Sequence, residues 1–197
     1  MSERLPKVES LRERNRRQTL HRITDAGMEL FLSKGYDATT LDEIATAAGI
    51  SRRTFFYYFK SKDDLVLAHF GRHAEALKLS ILESPSDGTP IDVVRDVLMK
   101  LSLRIRDSRA LATVRLMRES ETLRLRSYAN YLQLEEALHD GLCKRWPGKQ
   151  RRASLRLVAM ASIGATRIAV DAWLEQDGKR PLGKCIQDAF DKLKAAL

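Results

Sequence analysis

The sequence predicts an all-α protein of about nine helices, and three observations carry that expectation. Apolar residues recur at helical spacing along nearly the whole chain, with no strand-like alternation bounded by turns. The prolines (Pro6, Pro85, Pro90, Pro147, Pro181) fall between periodic segments rather than inside them. Helix-start and helix-stop residues flank several of those segments.

Residues 1–15 are polar and charged and are expected as a flexible arm. A first helix should run from about Arg16 to Lys34, with Leu20, Ile23, Met28, Leu30 and Phe31 apolar and Gly35 as its stop. "TLDE" then forms a capping box: Thr40 can accept from the Glu43 amide while Glu43 reaches back. The short helix it opens buries Leu41, Ile44, Ala45 and Ala48 and ends at Gly49, where a left-handed residue lets the chain turn. Ser51 caps a third helix, and Ile50 with Phe55 has the spacing of a hydrophobic staple. Ser61 caps a long helix from Lys62 to about Leu82. After the loop 84–90, Thr89 and Pro90 make a cap and first-turn pair. Further helices are expected at roughly 91–106, 109–118, 121–146, 150–176 and 182–196.

Composition narrows the class. The chain has 197 residues, 44% hydrophobic and 31% charged, which is globular rather than disordered. A net charge of +9 makes a polyanion a plausible partner. Two cysteines, Cys143 and Cys185, and an N-terminus without an apolar core point to a cytoplasmic protein. The apolar stretch 157–173 is interrupted by Arg167 and Asp171, so no membrane span is expected. His69 and His73 lie four apart without a third ligand at motif spacing, so no metal is expected. Phosphate-binding Gly loops, nucleophile elbows and Cys-x-x-Cys are absent, and neither catalysis nor a cofactor is expected.

The segment "ISRRTFFYYFKSK", residues 50–62, sets Arg52, Arg53, Lys60 and Lys62 around an unbroken aromatic run. On a helix, Phe55 and Phe59 share one face with Ile50, which makes that side core. Arg53, Phe56, Tyr57 and Lys60 fall opposite, with Arg52 beside them and Thr54 and Tyr58 at the flanks. Two short helices joined by a tight glycine turn, the second offering Arg and Tyr outward, fit a helix-turn-helix reader, spanning about 40–59. Arginine can fork onto guanine, hydroxyls can bond phosphates, and Lys62 opens the next helix where amides favour a phosphate. The competing reading is a helical hairpin with core aromatics and solvated cations. It leaves Arg52, Arg53, Tyr57 and Lys60 on one side without a purpose.

The run "RITDAGMELFLSKGYDATTLDEIATAAGISRRTFFYYFKSKDDL" resembles the DNA-binding domain of the tetracycline-repressor (TetR) family. The matching elements are Arg-Ile, an Ala-bearing helix ending in Leu-Phe, Gly-Tyr, Thr-Thr, Ile-Ala, Ala-Gly-Ile-Ser, then Thr, aromatics, Phe, Ser-Lys and Asp-Leu. The resemblance covers about the first third of the chain. It implies a three-helix helix-turn-helix DNA-binding head over 16–70 and a helical ligand-binding and dimerisation domain over 71–197. It also implies site roles. Thr40 would bind a phosphate, Arg52, Arg53, Thr54 and Tyr57 would approach bases or phosphates, and Tyr58 and Lys62 would hold the backbone. Arg16 and Thr19 occupy the start of the first helix, where some members touch phosphate. Two positions depart from the pattern: Phe56 where many members have Tyr, and Arg53 where they often have Gly or Ala. The first removes a hydroxyl, and the second adds a long reader.

Small residues at helical spacing (Ala153, Ala161, Gly164, Ala165, Ala169) and an apolar stripe on the last helix would let two helices approach closely. The family pairs its last two helices with two-fold mates, which places Ala161, Gly164, Ala165, Ile168, Ile186 and Phe190 at a homodimer seam. Both stripes could instead face the chain's own core. Arginines crowd residues 104–126. The resemblance implies that helices in this region enclose the effector pocket, with Leu98, Leu101, Arg104, Val114, Met117, Arg118 and Tyr128 around it, and the arginines would suit an amphiphilic anion. Local pairing of those arginines with acids is the alternative. The function expected is a ligand-responsive regulator, a repressor that binds a palindromic double-stranded DNA operator as a homodimer. A helical protein-interaction adaptor is the other class, separated from it by salt-sensitive, sequence-dependent DNA binding.

Overall fold

The computed structural model describes residues 10–85, 87–103, 108–119 and 121–196; the side chains of Phe70, Ser108, Arg109, Glu119, Thr122 and Arg126 also lie outside the description. Among the described residues it is all-helical: α1 (Leu11–Lys34), α2 (Leu41–Ala47), α3 (Arg52–Tyr58), α4 (Lys62–Leu82), α5 (Pro90–Ser102), α6 (Ser108–Glu119), α7 (Glu121–Arg145), α8 (Arg152–Glu175) and α9 (Leu182–Ala195). A single 3-10 turn, Lys149–Arg151, precedes α8. The chain divides into two compact units, Met1–His69 and Phe70–Leu197.

The first unit is built by α1, α2, α3 and the start of α4. Its core is Ile23, Met28, Phe31, Tyr36, Ile44, Ala45, Phe55, Phe59 and Leu65, all buried. α1 and α4 cross closely at Gly27: a Cβ there would come within 2.6 Å of a Leu65 methyl. Leu65 is fully buried, so it has little room to yield. α1 begins at Leu11, five residues before the expected start. Ser10 accepts from the Glu13 amide, and the Glu13 carboxylate accepts from the Ser10 amide at 2.9 Å. This capping box satisfies amides that would otherwise fray, so residues 11–15 are helix and not arm.

The second unit packs the rest of α4 with α5 to α9. α8 is its central helix, set against α5, α7 and α9. Val93, Val94, Leu138, Leu142, Leu155, Ala159, Ile163, Trp173, Ile186 and Phe190 lie in one buried cluster. α5 and α9 approach so closely that a Cβ on Gly183 would stand 2.8 Å from the Ser102 hydroxyl oxygen. α5 ends at Ser102 rather than near 106, and Arg104 lies outside the described residues.

Three expected seam residues are corrected by this packing. Ala165, Ile186 and Phe190 belong to the chain's own core. A single apolar stripe on α9 can be satisfied once, and α5 and α8 already satisfy it. α8 differs because it is apolar on two sides. One side is the core just described. The other presents Leu157, Met160 and Ile168 to solvent, with Gly164 among them and open space where its Cβ would be. That two-sidedness makes residues 149–175 long and apolar enough for a membrane span by length and composition alone. Part of that apolar surface is the packed face of α8, and Arg167 and Asp171 are exposed on the same helix.

Candidate nucleic-acid interface

The helix-turn-helix is assembled by caps. Thr40 accepts from the Glu43 amide at 3.3 Å, and Glu43 accepts from the Thr40 amide at 2.9 Å. Glu43 also pairs with Lys34 of α1. The hydrogen bond from Lys34, then those from Thr40, hold the Glu43 carboxyl down at about 2, so it stays ionised far below neutrality. Gly49 takes φ +63°, and the amides of Gly49 and Ile50 donate back to the carbonyls of Thr46 and Ala45 at 3.0 Å each. A side chain at Gly49 would be strained by that φ alone. Ser51 then accepts from the Thr54 amide at 3.1 Å and opens α3.

α3 is split as its spacing predicts. Phe55 and Phe59 are buried, their rings 5.7 Å apart. Arg52, Arg53, Phe56 and Tyr57 are exposed, and Thr54 and Tyr58 are half-buried at the flanks. Tyr57 is 71% exposed, which a core aromatic would not be. The all-core reading of the aromatic run therefore fails at Phe56 and Tyr57.

The two arginines differ. Arg52 reaches back to Asp42 of α2 at 3.0 Å and lies over the Phe56 ring at 5.8 Å. Arg53 projects from α3 with no acid paired to it among the described residues. The pair across the turn ties Arg52 to its own head, whereas Arg53 extends from the exposed face of α3.

Lys62 is placed differently from a free phosphate grip. Its ammonium donates to the Tyr36 carbonyl at 2.7 Å and the Thr39 carbonyl at 3.3 Å, and sits 4.2 Å from the centre of the Tyr36 ring. Asp63 accepts from the Tyr36 hydroxyl. Lys62 thus buttresses the α1–α2 connection. The hydroxyl of Thr40 is likewise engaged in its capping box. Arg16 and Thr19, on α1, line an open cleft with Tyr57 and Tyr58. Arg12 and Asn15 line the same cleft, in a stretch whose sequence reads as an arm. "SLRE" at 10–13 is the same Ser/Thr-x-x-Glu signal as "TLDE", and it marks the true helix start.

In the second unit, Met117 is buried, and Leu98, Leu101 and Val114 pack against the main core. Tyr128 is half exposed, with the Arg167 guanidinium 5.4 Å from its ring centre and 4.9 Å from that of Tyr131. Arg118 pairs with Asp171, and Arg115 with Asp177 at 2.6 Å, so α6 is tied to α8 and the turn after it. Arg115, Arg118, Leu174, Glu175 and Asp177 line an open cleft of about 380 Å3.

Comparison with known proteins agrees with this architecture. Residues 23–69 match the family described as bacterial regulatory proteins of the tetR family, and residues 88–197, more than half of the chain, match the MftR C-terminal domain. The chain is 29% identical over 187 residues, 93% of each sequence, to the protein named mycofactocin biosynthesis transcriptional regulator MftR in Mycobacterium tuberculosis. FadR from Thermus thermophilus, a TetR-family repressor solved with lauroyl-CoA, shares the fold with a TM-score of 0.61 at 22% identity, over 88% of this chain and 92% of that one. A TetR-family regulator from Syntrophomonas wolfei gives a TM-score of 0.68 at 15% identity, over 92% and 95%. With a capped helix-turn-helix presenting Arg53 and Tyr57 and both units matched, the chain belongs to the TetR family of DNA-binding transcriptional regulators.

Proposed function

We propose that the protein represses transcription in the cytoplasm by binding a palindromic operator as a homodimer, and that a small amphiphilic anion releases it. The exposed cationic and hydroxyl-bearing face of α3, set on a buried Phe55–Phe59 spine, carries the reading. A two-fold protein reads a two-fold site, so half-sites should lie about 34–36 Å apart or a multiple of it. Arg53 is assigned to a base edge, because it extends from the reading helix while Arg52 is held by Asp42. Arg53→Ala should cost about 1–3 kcal/mol on the operator and relax preference at one base position. Binding of parent and variant to the gene's own upstream DNA and to scrambled duplexes, across salt concentrations, measures this. Equal affinity of the parent for both DNAs at every salt concentration would sink the repressor reading. A uniform loss across sequences in the variant would make Arg53 a phosphate contact.

The effector class rests on Arg115 and Arg118 at the α6–α8 cleft, beside the apolar Leu174. A carboxylate or phosphate can replace Asp177 and Asp171 as partner of these guanidiniums, with its apolar tail entering the second unit. Binding that favours a conformation unable to engage both half-sites would release the DNA. Anionic amphiphiles should raise the melting temperature of the parent, and Arg118→Ala should lose most of that shift. Stabilisation and DNA release by cationic amphiphiles of matched chain length, and not by the anions, would exclude the anion.

A further inference from the structure

Between Asp140 and Asp171 the chain has no acid. Both of those carboxylates are taken, Asp140 by Lys78 and Asp171 by Arg118. The same stretch carries Lys144, Lys149, Arg151 and Arg152, all exposed, and the half-buried Arg156. None of them makes an ion pair among the described residues. α8 starts inside this cationic run, although a helix start favours acids and capping hydroxyls. Its N-cap is Arg151, which supplies no side-chain cap, and its first turn holds no acid. A local rule broken without a compensating contact is a mark of function rather than of packing.

One hydroxyl stands at the centre of the run. Ser154 is exposed in the first turn of α8, with Arg151 three residues before it, Arg152 two before and Arg156 two after. Every residue from Pro147 to Ser154 is exposed, and Leu155 is the first buried side chain of the helix. Unwinding that turn as far as Ser154 therefore uncovers no core, so it opens at little cost.

We propose that Ser154 is a phosphorylation site for a protein serine kinase that selects arginines before its acceptor, and that the phosphate then caps α8. Such a kinase reads its substrate by charge pattern, with acidic subsites for the arginines at the third and second positions before the hydroxyl. In the transfer, Ser154 Oγ bonds to the terminal phosphorus of a nucleoside triphosphate. The bond from that phosphorus to its bridging oxygen breaks, the hydroxyl proton passes to the base of the kinase, and the nucleoside diphosphate leaves. The product suits the rewound helix. Phosphoserine carries about −1.5 to −2 charges near neutral pH. It would lie among the free amides at the positive end of α8, and the neighbouring guanidiniums can fork onto its oxygens. The site stands whether or not α3 reads DNA.

The chain holds its own control. Arg16, Arg17, Gln18 and Thr19 repeat the pattern of two arginines, one residue and a hydroxyl. Thr19 is half-buried and lies well inside α1, so a kinase would have to break a continuous helix to reach it.

The test incubates the full chain with ATP, magnesium and a purified arginine-directed serine kinase, and maps the product by mass spectrometry. Ser154 should be phosphorylated and Thr19 spared. Arg151→Ala/Arg152→Ala should slow incorporation at Ser154 by about tenfold or more. The phosphorylated chain should melt about 2–4 °C above the unmodified one, and Ser154→Asp should rise by a smaller step. No phosphate on Ser154, or modification of Thr19 in its place, overturns the site. Incorporation at Ser154 that is indifferent to the two arginines overturns the arginine-directed kinase. A phosphorylated chain that melts at or below the unmodified one overturns the cap.

Discussion

Phe55→Ala unfolds the DNA-reading head. Phe55 is fully buried, stacks with Phe59 at 5.7 Å, and meets the edge of Phe56 at 5.8 Å. Truncating such a side chain removes transfer free energy and leaves a cavity, at a cost of about 3–5 kcal/mol. The head is small, and a loss of that size is a large share of the stability of any domain. Limited proteolysis and hydrogen exchange on the full chain should show residues 10–69 opening, with DNA binding lost. Phe56→Ala is the matched control. Phe56 is 46% exposed, so its removal should change stability by only about 0.5 kcal/mol. Equal protection of the head in the two variants would mean that Phe55 is not the keystone of this core.

A charge on the outer face of α8 is expected to dissociate the homodimer proposed above. Leu157 and Ile168 are 67% and 65% exposed, far more than Leu155 and Ile163 on the same helix. Leu157→Glu and Ile168→Glu should therefore leave the monomer fold intact, because each side chain points away from its own core. An unpaired carboxylate buried at a helix–helix seam costs several kcal/mol, enough to dissociate a dimer at micromolar concentration. Sedimentation should show monomers, and operator affinity should collapse because two half-sites can no longer be held at once. Dimers that persist in both variants would leave this stripe as free surface and move the seam elsewhere. Gly164→Leu probes the same face sterically, since its Cβ direction is empty within the chain.

The sequence by itself determined the parts governed by local chemistry. Caps, glycine stops and 3.6-residue spacing are short-range, so Thr40–Glu43, Gly49, Ser51 and the inward Phe55–Phe59 pair were all legible. The two faces of α3 were legible for the same reason: a short helix with one greasy side has only one way to lie on a core. The start of α1 was legible too, in Ser10 and Glu13, but a run of arginines looks like an arm unless the capping box is given priority.

Only the tertiary structure decided which side of an apolar helix is inside. α8 is apolar on two sides, and periodicity cannot say which of Ala165 and Ile168 faces the core. Packing chose Ala165 and left Ile168 in water. α9 has one stripe, which its own chain consumed, so Ile186 and Phe190 left the expected seam. Charged side chains were no more readable, because a cation's role depends on which partner comes within reach. Asp42 claimed Arg52, the carbonyls of Tyr36 and Thr39 claimed Lys62, and Asp171 claimed Arg118, while Arg53 remained extended from the reading helix. Those pairings join residues up to 53 positions apart, a separation that no local pattern encodes.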